Sequence, residues 1–250
     1  MSDHTSLPDL SERRVLIPGG TGGVGEGAVR AYLAAGAQVV VPTRSQERAE
    51  EFSALLGEAA TGRLHLFEFD YTTFAGAETL VATMAERLGG VDDVVAPIGG
   101  WWHGKQLWEI DEADWRSAFV DLATAHMAVL RAALPRMTDQ GAYSVVVGQS
   151  ARFPVPGSGL VSMEQTALLM MQQVLAAELQ GAKRVFLLEL GPVATRFVET
   201  PDPAQVTSAQ IGAVAVAASA STQPGRQVQL HDSAQAEAAL VSFGTLGATA

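Results

Sequence analysis

Apolar residues along this chain fall into short runs rich in β-branched side chains, separated by longer stretches where they recur every three to four residues. The runs Val15–Pro18, Ala37–Val41, Leu64–Phe69, Val91–Ile98, Ala142–Val147, Arg184–Leu190 and Gln227–Leu230 predict strands. The stretches Val24–Ala35, Arg44–Leu56, Leu80–Leu88, Glu112–Pro135, Ser158–Gln180 and Ser208–Ala220 predict helices, with a break near the start of Glu112–Pro135. In the first helix, Val24, Ala28, Ala31, Tyr32 and Ala35 form the apolar stripe, and Gly36 ends it. This alternation predicts right-handed crossovers and an α/β fold. We expect a doubly wound sheet of about seven parallel strands, with helices on both faces. No linker or shift in composition divides the chain, so residues 1–250 read as a single domain. Residues 1–12 and the small-residue-rich stretch 233–250 are expected as loosely held ends.

Composition narrows the function classes. The 250 residues contain no cysteine, which removes disulfides, thiolate metal sites and cysteine nucleophiles. Sixteen Lys and Arg stand against 27 Asp and Glu, a formal charge of −11, with no basic cluster to hold nucleic acid. The continuous apolar runs fall short of the ~18 residues of a membrane span, and the first 14 residues lack a signal peptide's apolar stretch. These readings predict a cytoplasmic protein with neither a nucleic-acid nor a membrane partner. The five histidines have no metal-ligand spacing, so no metal is expected.

The candidate chemistry begins at the glycine cluster 19–25, between the first strand and the first helix. Gly19, Gly23 and Gly25 permit a tight turn, and a diphosphate could approach the free N–H groups of Gly23, Val24 and Gly25 at the helix end. No lysine follows in the P-loop manner. The second strand runs into Pro42-Thr43-Arg44, with no carboxylate to take the adenine ribose hydroxyls of NAD. Arg44, with Arg48 one turn on, suits a 2′-phosphate instead, which favours NADP(H) and leaves NAD(H) as the alternative. Asp70 ends the third strand, where it could accept from an adenine amino group or cap the next helix.

Taken together, these residues resemble the short-chain dehydrogenase/reductase family over residues 12–232, with its Rossmann-type fold. Pro18-Gly19…Gly23-Val24-Gly25 stands for the family's Thr-Gly-x-x-x-Gly-x-Gly loop, and Asp70 for its adenine-contacting Asp. Gly191-Pro192-Val193-Ala194-Thr195 is similar to its Pro-Gly-x-x-x-Thr stretch. The resemblance implies that Thr195 lies near the nicotinamide ribose and pyrophosphate. Gly99 is what remains of Asn-Asn-Ala-Gly after the fourth strand. It also implies pairing of two long helices across a two-fold axis, hence a homodimer or homotetramer.

The family's catalytic pattern is absent. No Tyr-x-x-x-Lys pair occurs; Val161 and Gln165 occupy those positions. Val161 has no exchangeable proton, and Gln165 could hydrogen-bond a ribose but carries no charge. Asp121 stands for the family's Asn. The family's Ser corresponds to Ser150 if the following loop is two residues shorter, and to Gly148 if it is not. Ser150, Asp121 and His103 are therefore the candidate proton-relay groups, with Glu164 a further acidic candidate. Trp101 and Trp102 are candidates for an aromatic wall of the substrate pocket, while His126 is read as packing or interface. The stretch after Thr195, where the family often forms a helical lid, is short and carries Pro201 and Pro203. Three functions follow. The first is an NADP(H)-linked oxidoreductase on a small carbonyl or alcohol, working through a non-standard proton relay. The others are a catalytically silent nucleotide- or metabolite-binding homologue and a non-redox dehydratase or isomerase.

Overall fold

A computed structural model describes residues 7–244. In chain order the main elements are β1 (Arg14–Leu16), α1 (Gly23–Ala34), β2 (Gln38–Thr43), α2 (Gln46–Leu56), β3 (Leu64–Glu68), α3 (Phe74–Leu88) and β4 (Asp93–Ala96). They continue with α4 (Glu112–Trp115), α5 (Asp121–Ala133), β5 (Ala142–Gly148), α6 (Gly159–Leu179), β6 (Arg184–Leu190), β7 (Val193–Ala194) and β8 (Val206–Thr207). The last three are α7 (Ser208–Ala220), β9 (Gln227–Leu230) and α8 (Ser233–Ser242).

Seven strands form one parallel sheet in the order β3-β2-β1-β4-β5-β6-β9, while β7 and β8 pair in parallel outside it. Each face buries its own core. Val15, Val39, Val41, Phe186 and Leu188 meet α1, α2, α7 and α8 on one side. Leu16, Val40, Val94, Val145 and Leu187 meet α3, α5 and α6 on the other. Burial on both faces explains why the strands read as continuous apolar runs. The chain reverses sheet direction between β1 and β4, and such switch points open a crevice beyond the carboxyl ends of the strands. At the opposite edge, Arg13 and Arg14 pair with Asp93 and Asp92, which ties β1 to β4.

Two expectations are corrected, and the expected break in Glu112–Pro135 is found. The stretch after Ser233 is a helix, not a loose tail: the Asp232 side chain accepts from the Gln235 N–H, and Ala236, Ala239 and Leu240 are buried at helical spacing. Residues 1–6 and 245–250 of the expected loose ends lie outside the described residues. The third helix begins at Phe74, because Thr73 accepts from the Gly76 N–H and starts it a turn and a half before Leu80. The break in Glu112–Pro135 is a π turn over Arg116–Val120. Residues 112–136 also form one helical stretch long and apolar enough by composition to cross a membrane; here α5 buries Ala125, Ala128, Val129 and Ala132 against the second core.

Candidate functional site

The glycine loop is built by close packing. Gly19 has φ +83°, and a Cβ there would lie 2.5 Å from the Pro97 carbonyl oxygen. A Cβ on Gly25 would meet the Gly19 carbonyl oxygen at 2.2 Å, so the helix seats directly on the turn. Gly22 is the N-cap of α1 and makes no side-chain cap bond, so no capping side chain covers the N–H groups of the first turn. Thr195 and Phe197 lie against Gly23 from the far side, and Arg196 pairs with Glu26 and donates to the Thr21 carbonyl oxygen at 3.0 Å.

Two cavities lie near this loop: Val24 lines one, and Ile98, against which Gly19 packs, lines the other. The larger, about 1170 Å³, holds Arg44, Asp70, Tyr71, Gly99 and Asp121 among its lining residues. Asp70 accepts from both the backbone N–H and the hydroxyl of Thr72, at 3.0 and 2.5 Å, and these bonds hold its carboxyl below the usual range. It therefore forms a local turn, and Thr73 rather than Asp70 caps α3. Tyr71 is a cleft residue that sequence reasoning missed; burial raises its phenol, opposed by the Arg44 guanidinium. Its place directly after Asp70 was the available signal.

The second cavity, about 550 Å³, is lined by Val24, Trp101, Ser150, Val161, Gln165 and Gly191, among others. None of its lining residues carries a titratable side chain. Ser150 is buried on a 3₁₀ turn just beyond β5, with its hydroxyl 3.5 Å from the point a Cβ on Gly148 would occupy. Gln165 accepts from the Gly148 N–H at 2.5 Å through Oε1 and donates to Glu164 Oε2 at 2.7 Å through Nε2. Its oxygen is thus spent on the backbone and one amide hydrogen on a neighbour, which narrows the ribose-binding capacity expected for it. Gly191 has a packing reason of its own, since a Cβ there would lie 2.1 Å from the His231 carbonyl oxygen.

The structure does not bring the three relay candidates together. Ser150 lines the smaller cavity and Asp121 the larger. His103 is exposed and stacked on Gly157, where the Gly104 N–H donates to the Gly157 carbonyl oxygen at 2.9 Å. Trp101 lines the smaller cavity; Trp102, half-buried, does not. His126 is buried, bonds the Ile98 carbonyl oxygen at 2.9 Å, and is pushed down to about 4 by burial, in keeping with a packing role. No metal-binding cluster of His, Cys, Asp or Glu is present among the described residues.

Glu164, the further acidic candidate, is not among the lining residues of either cavity. It is fully buried on α6 between Met163 and Gln165, and burial pushes its carboxyl up to about 7.

Comparison with known proteins places these features in context. The family model described as short chain dehydrogenase matches residues 13–205. Dehydrogenase/reductase SDR family member 4 of Mus musculus is 31% identical over 208 residues, covering 78% of this chain and 71% of that protein. A hydroxysteroid 11-beta-dehydrogenase 1-like protein of Xenopus tropicalis is 28% identical over 159 residues; the match covers 62% of this chain but only 54% of that relative. Among solved structures, an apo short chain oxidoreductase from Pseudomonas aeruginosa PAO1, containing an atypical catalytic center, superposes with a TM-score of 0.78. It shares 19% identity, covering 89% of this chain and 97% of that one.

Proposed function

The chain belongs to the short-chain dehydrogenase family, and from that premise we propose that it binds NADP(H) across the carboxyl edge of its sheet as an atypical oxidoreductase. The observation that carries this reading is the side-chain-uncapped glycine loop standing near two cavities. The residues fit a dinucleotide. Gly99 and Gly100 leave open space above β4, the turn at Gly19 admits close approach, and Arg44 offers a guanidinium for a 2′-phosphate where NAD-type sites carry a carboxylate. NAD(H) is the weaker alternative.

Bound in this way, the dinucleotide would supply or accept hydride. The protein's part is binding, orientation and proton handling. Val161 holds no proton, and the cavity around it contains one hydroxyl, that of Ser150, and no acid. Ser150 would orient the oxygen of a small carbonyl or alcohol. Its proton would have to be replenished through water, since Asp121 and His103 line other surfaces. Turnover is accordingly slow. The same absence of acid and base disfavours a dehydratase or isomerase, and it gives specific support to a second reading, a ligand-binding homologue without turnover. The assembly that fits the family is a homodimer or homotetramer through α5 and α6.

Calorimetric titration with NADPH and NADH tests the binding claim, with NADPH expected to bind more tightly. NADPH oxidation across a panel of ketones and aldehydes separates slow reductase from silent binder. Absence of binding by either nucleotide overturns the reading.

A further inference from the structure

The smaller cavity lacks the family's ammonium, yet it is backed by a carboxyl group with no cation beside it. Glu164 is 0% exposed. Its Oε2 accepts from Gln165 Nε2, and its Oε1 is enclosed without a hydrogen-bond partner. Gln165 is 8% exposed and reaches the cavity wall. The Gly148 N–H can only donate, so it fixes the amide oxygen of Gln165 inward and leaves Nε2 for Glu164. A primary amide carries two N–H groups. One is spent on Glu164, and the second makes no hydrogen bond within the described residues.

Ser150 completes the arrangement. Its Oγ and Gln165 Oε1 lie 3.5 and 3.8 Å from the point a Cβ on Gly148 would occupy, so the two side chains flank one gap. Charged and titratable groups on the elements packed against α6 are Arg116 of the π turn, Asp121, His126 and Arg131 of α5, Tyr143 of β5, and Arg184 and Glu189 of β6, the last with its partner Arg152. None of them bonds Glu164.

We propose that Glu164 is a positioning residue that locks the Gln165 amide, so that one Gln165 N–H and the Ser150 hydroxyl together hold a single uncharged acceptor oxygen of the ligand. A carbonyl, carboxamide or hydroxyl oxygen suits this cradle. An anion does not, because the cavity wall carries no cation and the nearest buried carboxyl is itself acidic. The inference rests on the nucleotide-binding reading above.

The test uses the full chain and NADPH as probe, with the Gln165 side-chain amide observed by nitrogen–proton NMR and assigned by its loss in Gln165→Met. In the free protein the proton bonded to Glu164 should be displaced from its free-glutamine position and should titrate near neutrality with Glu164. The titration should vanish in Glu164→Gln, which keeps an acceptor and the lock, while Glu164→Leu should return that proton to its free-glutamine position. NADPH should then shift the second proton, and Glu164→Leu should weaken NADPH binding by about tenfold, with Glu164→Gln restoring it. Amide protons at free-glutamine positions that ignore pH overturn the proposal. So does NADPH binding, seen at other signals, that leaves Gln165 unmoved. If NADPH perturbs no signal at all, the nucleotide reading fails, and the free-protein titration alone decides whether Glu164 locks the amide.

Discussion

The Ser150 hydroxyl stands 3.5 Å from the point where a side chain on Gly148 would begin, so Ser150 reaches back toward a position its own neighbour leaves empty. Gly148 has φ −87° and ψ 159°, a conformation open to any residue, and a Cβ there would make only ordinary contacts. Gly148→Ala should therefore fold with stability unchanged or raised by about 0.5 kcal/mol. Its methyl group would occupy the gap between Ser150 and Gln165. NADPH affinity by calorimetry is expected to fall about tenfold, the worth of one good hydrogen bond. Undiminished affinity would remove this gap from the ligand's path.

Arg44 should set cofactor preference. It is exposed, lines the larger cavity beside Asp70, and makes no hydrogen bond of its own among the described residues. Arg44→Ala should reduce NADPH affinity by roughly tenfold or more while changing NADH little, because a charge-assisted phosphate contact is lost and a ribose contact is not. Raising the salt concentration should narrow the NADPH advantage of the unmodified chain and leave the variant nearly unaffected. Parallel losses for both nucleotides would place Arg44 outside the phosphate site.

The fold was legible because a sheet buried on both faces forces long apolar runs, seen in β2, β5 and β6. The helices that escaped or were cut short are those made of small residues. Helix α8 carries its signal in one cap, Asp232, and three buried positions, and α3 opens on Phe-Ala-Gly-Ala behind Thr73. At the site, the loss of the tyrosine and lysine was visible in the sequence, whereas the state of Gln165 was not. Its oxygen is claimed by a backbone N–H seventeen residues away. Only tertiary packing brings Gly148 to it, just as only packing sends His103 and Asp121 away from Ser150.

The outer face of α6 carries Met163, Met170 and Val174, all exposed, and Met127 is exposed on α5. Exposed apolar side chains at this helical spacing form the surface through which the proposed dimer would assemble. Met170→Asp with Val174→Asp should yield monomers in sedimentation velocity, whereas the unmodified chain should sediment as a dimer or tetramer. A monomeric unmodified chain at micromolar concentration would refute the assembly.

Catalysis should respond to the missing pair in a particular order. Val161→Tyr combined with Gln165→Lys returns a phenol and an ammonium to the cavity. The ammonium would arrive beside the buried Glu164, however, and pair with it rather than act on the phenol. Weak NADPH oxidation is expected from this double variant. Adding Glu164→Ser should free the ammonium and raise the rate by about tenfold or more. Equal rates with and without Glu164→Ser would show that the carboxyl does not compete. Rapid turnover by the unmodified chain would overturn the view that its site lacks an adequate proton donor.

Glu164 should also govern how stability depends on pH. Its carboxyl has an ordinary value of 4.5 and is pushed up to about 7 in the folded chain by burial. At low pH both folded and unfolded chains hold the proton, and the group has no effect. Between these two values the unfolded chain releases the proton and the folded chain keeps it, so stability falls as pH rises. Above about pH 7 both states are ionised and the full penalty, of the order of 3 kcal/mol, persists. Glu164→Gln fills the same volume with an uncharged side chain that can still accept from Gln165. Its stability relative to the unmodified chain should therefore climb from about pH 5 to about pH 8 and then level off. Urea unfolding midpoints at fixed protein concentration measure this directly, and the other titrating groups cancel in the comparison. Parallel midpoints for the two chains across that range would mean that the Glu164 carboxyl is solvated in the folded protein, and the lock on Gln165 would lose its basis.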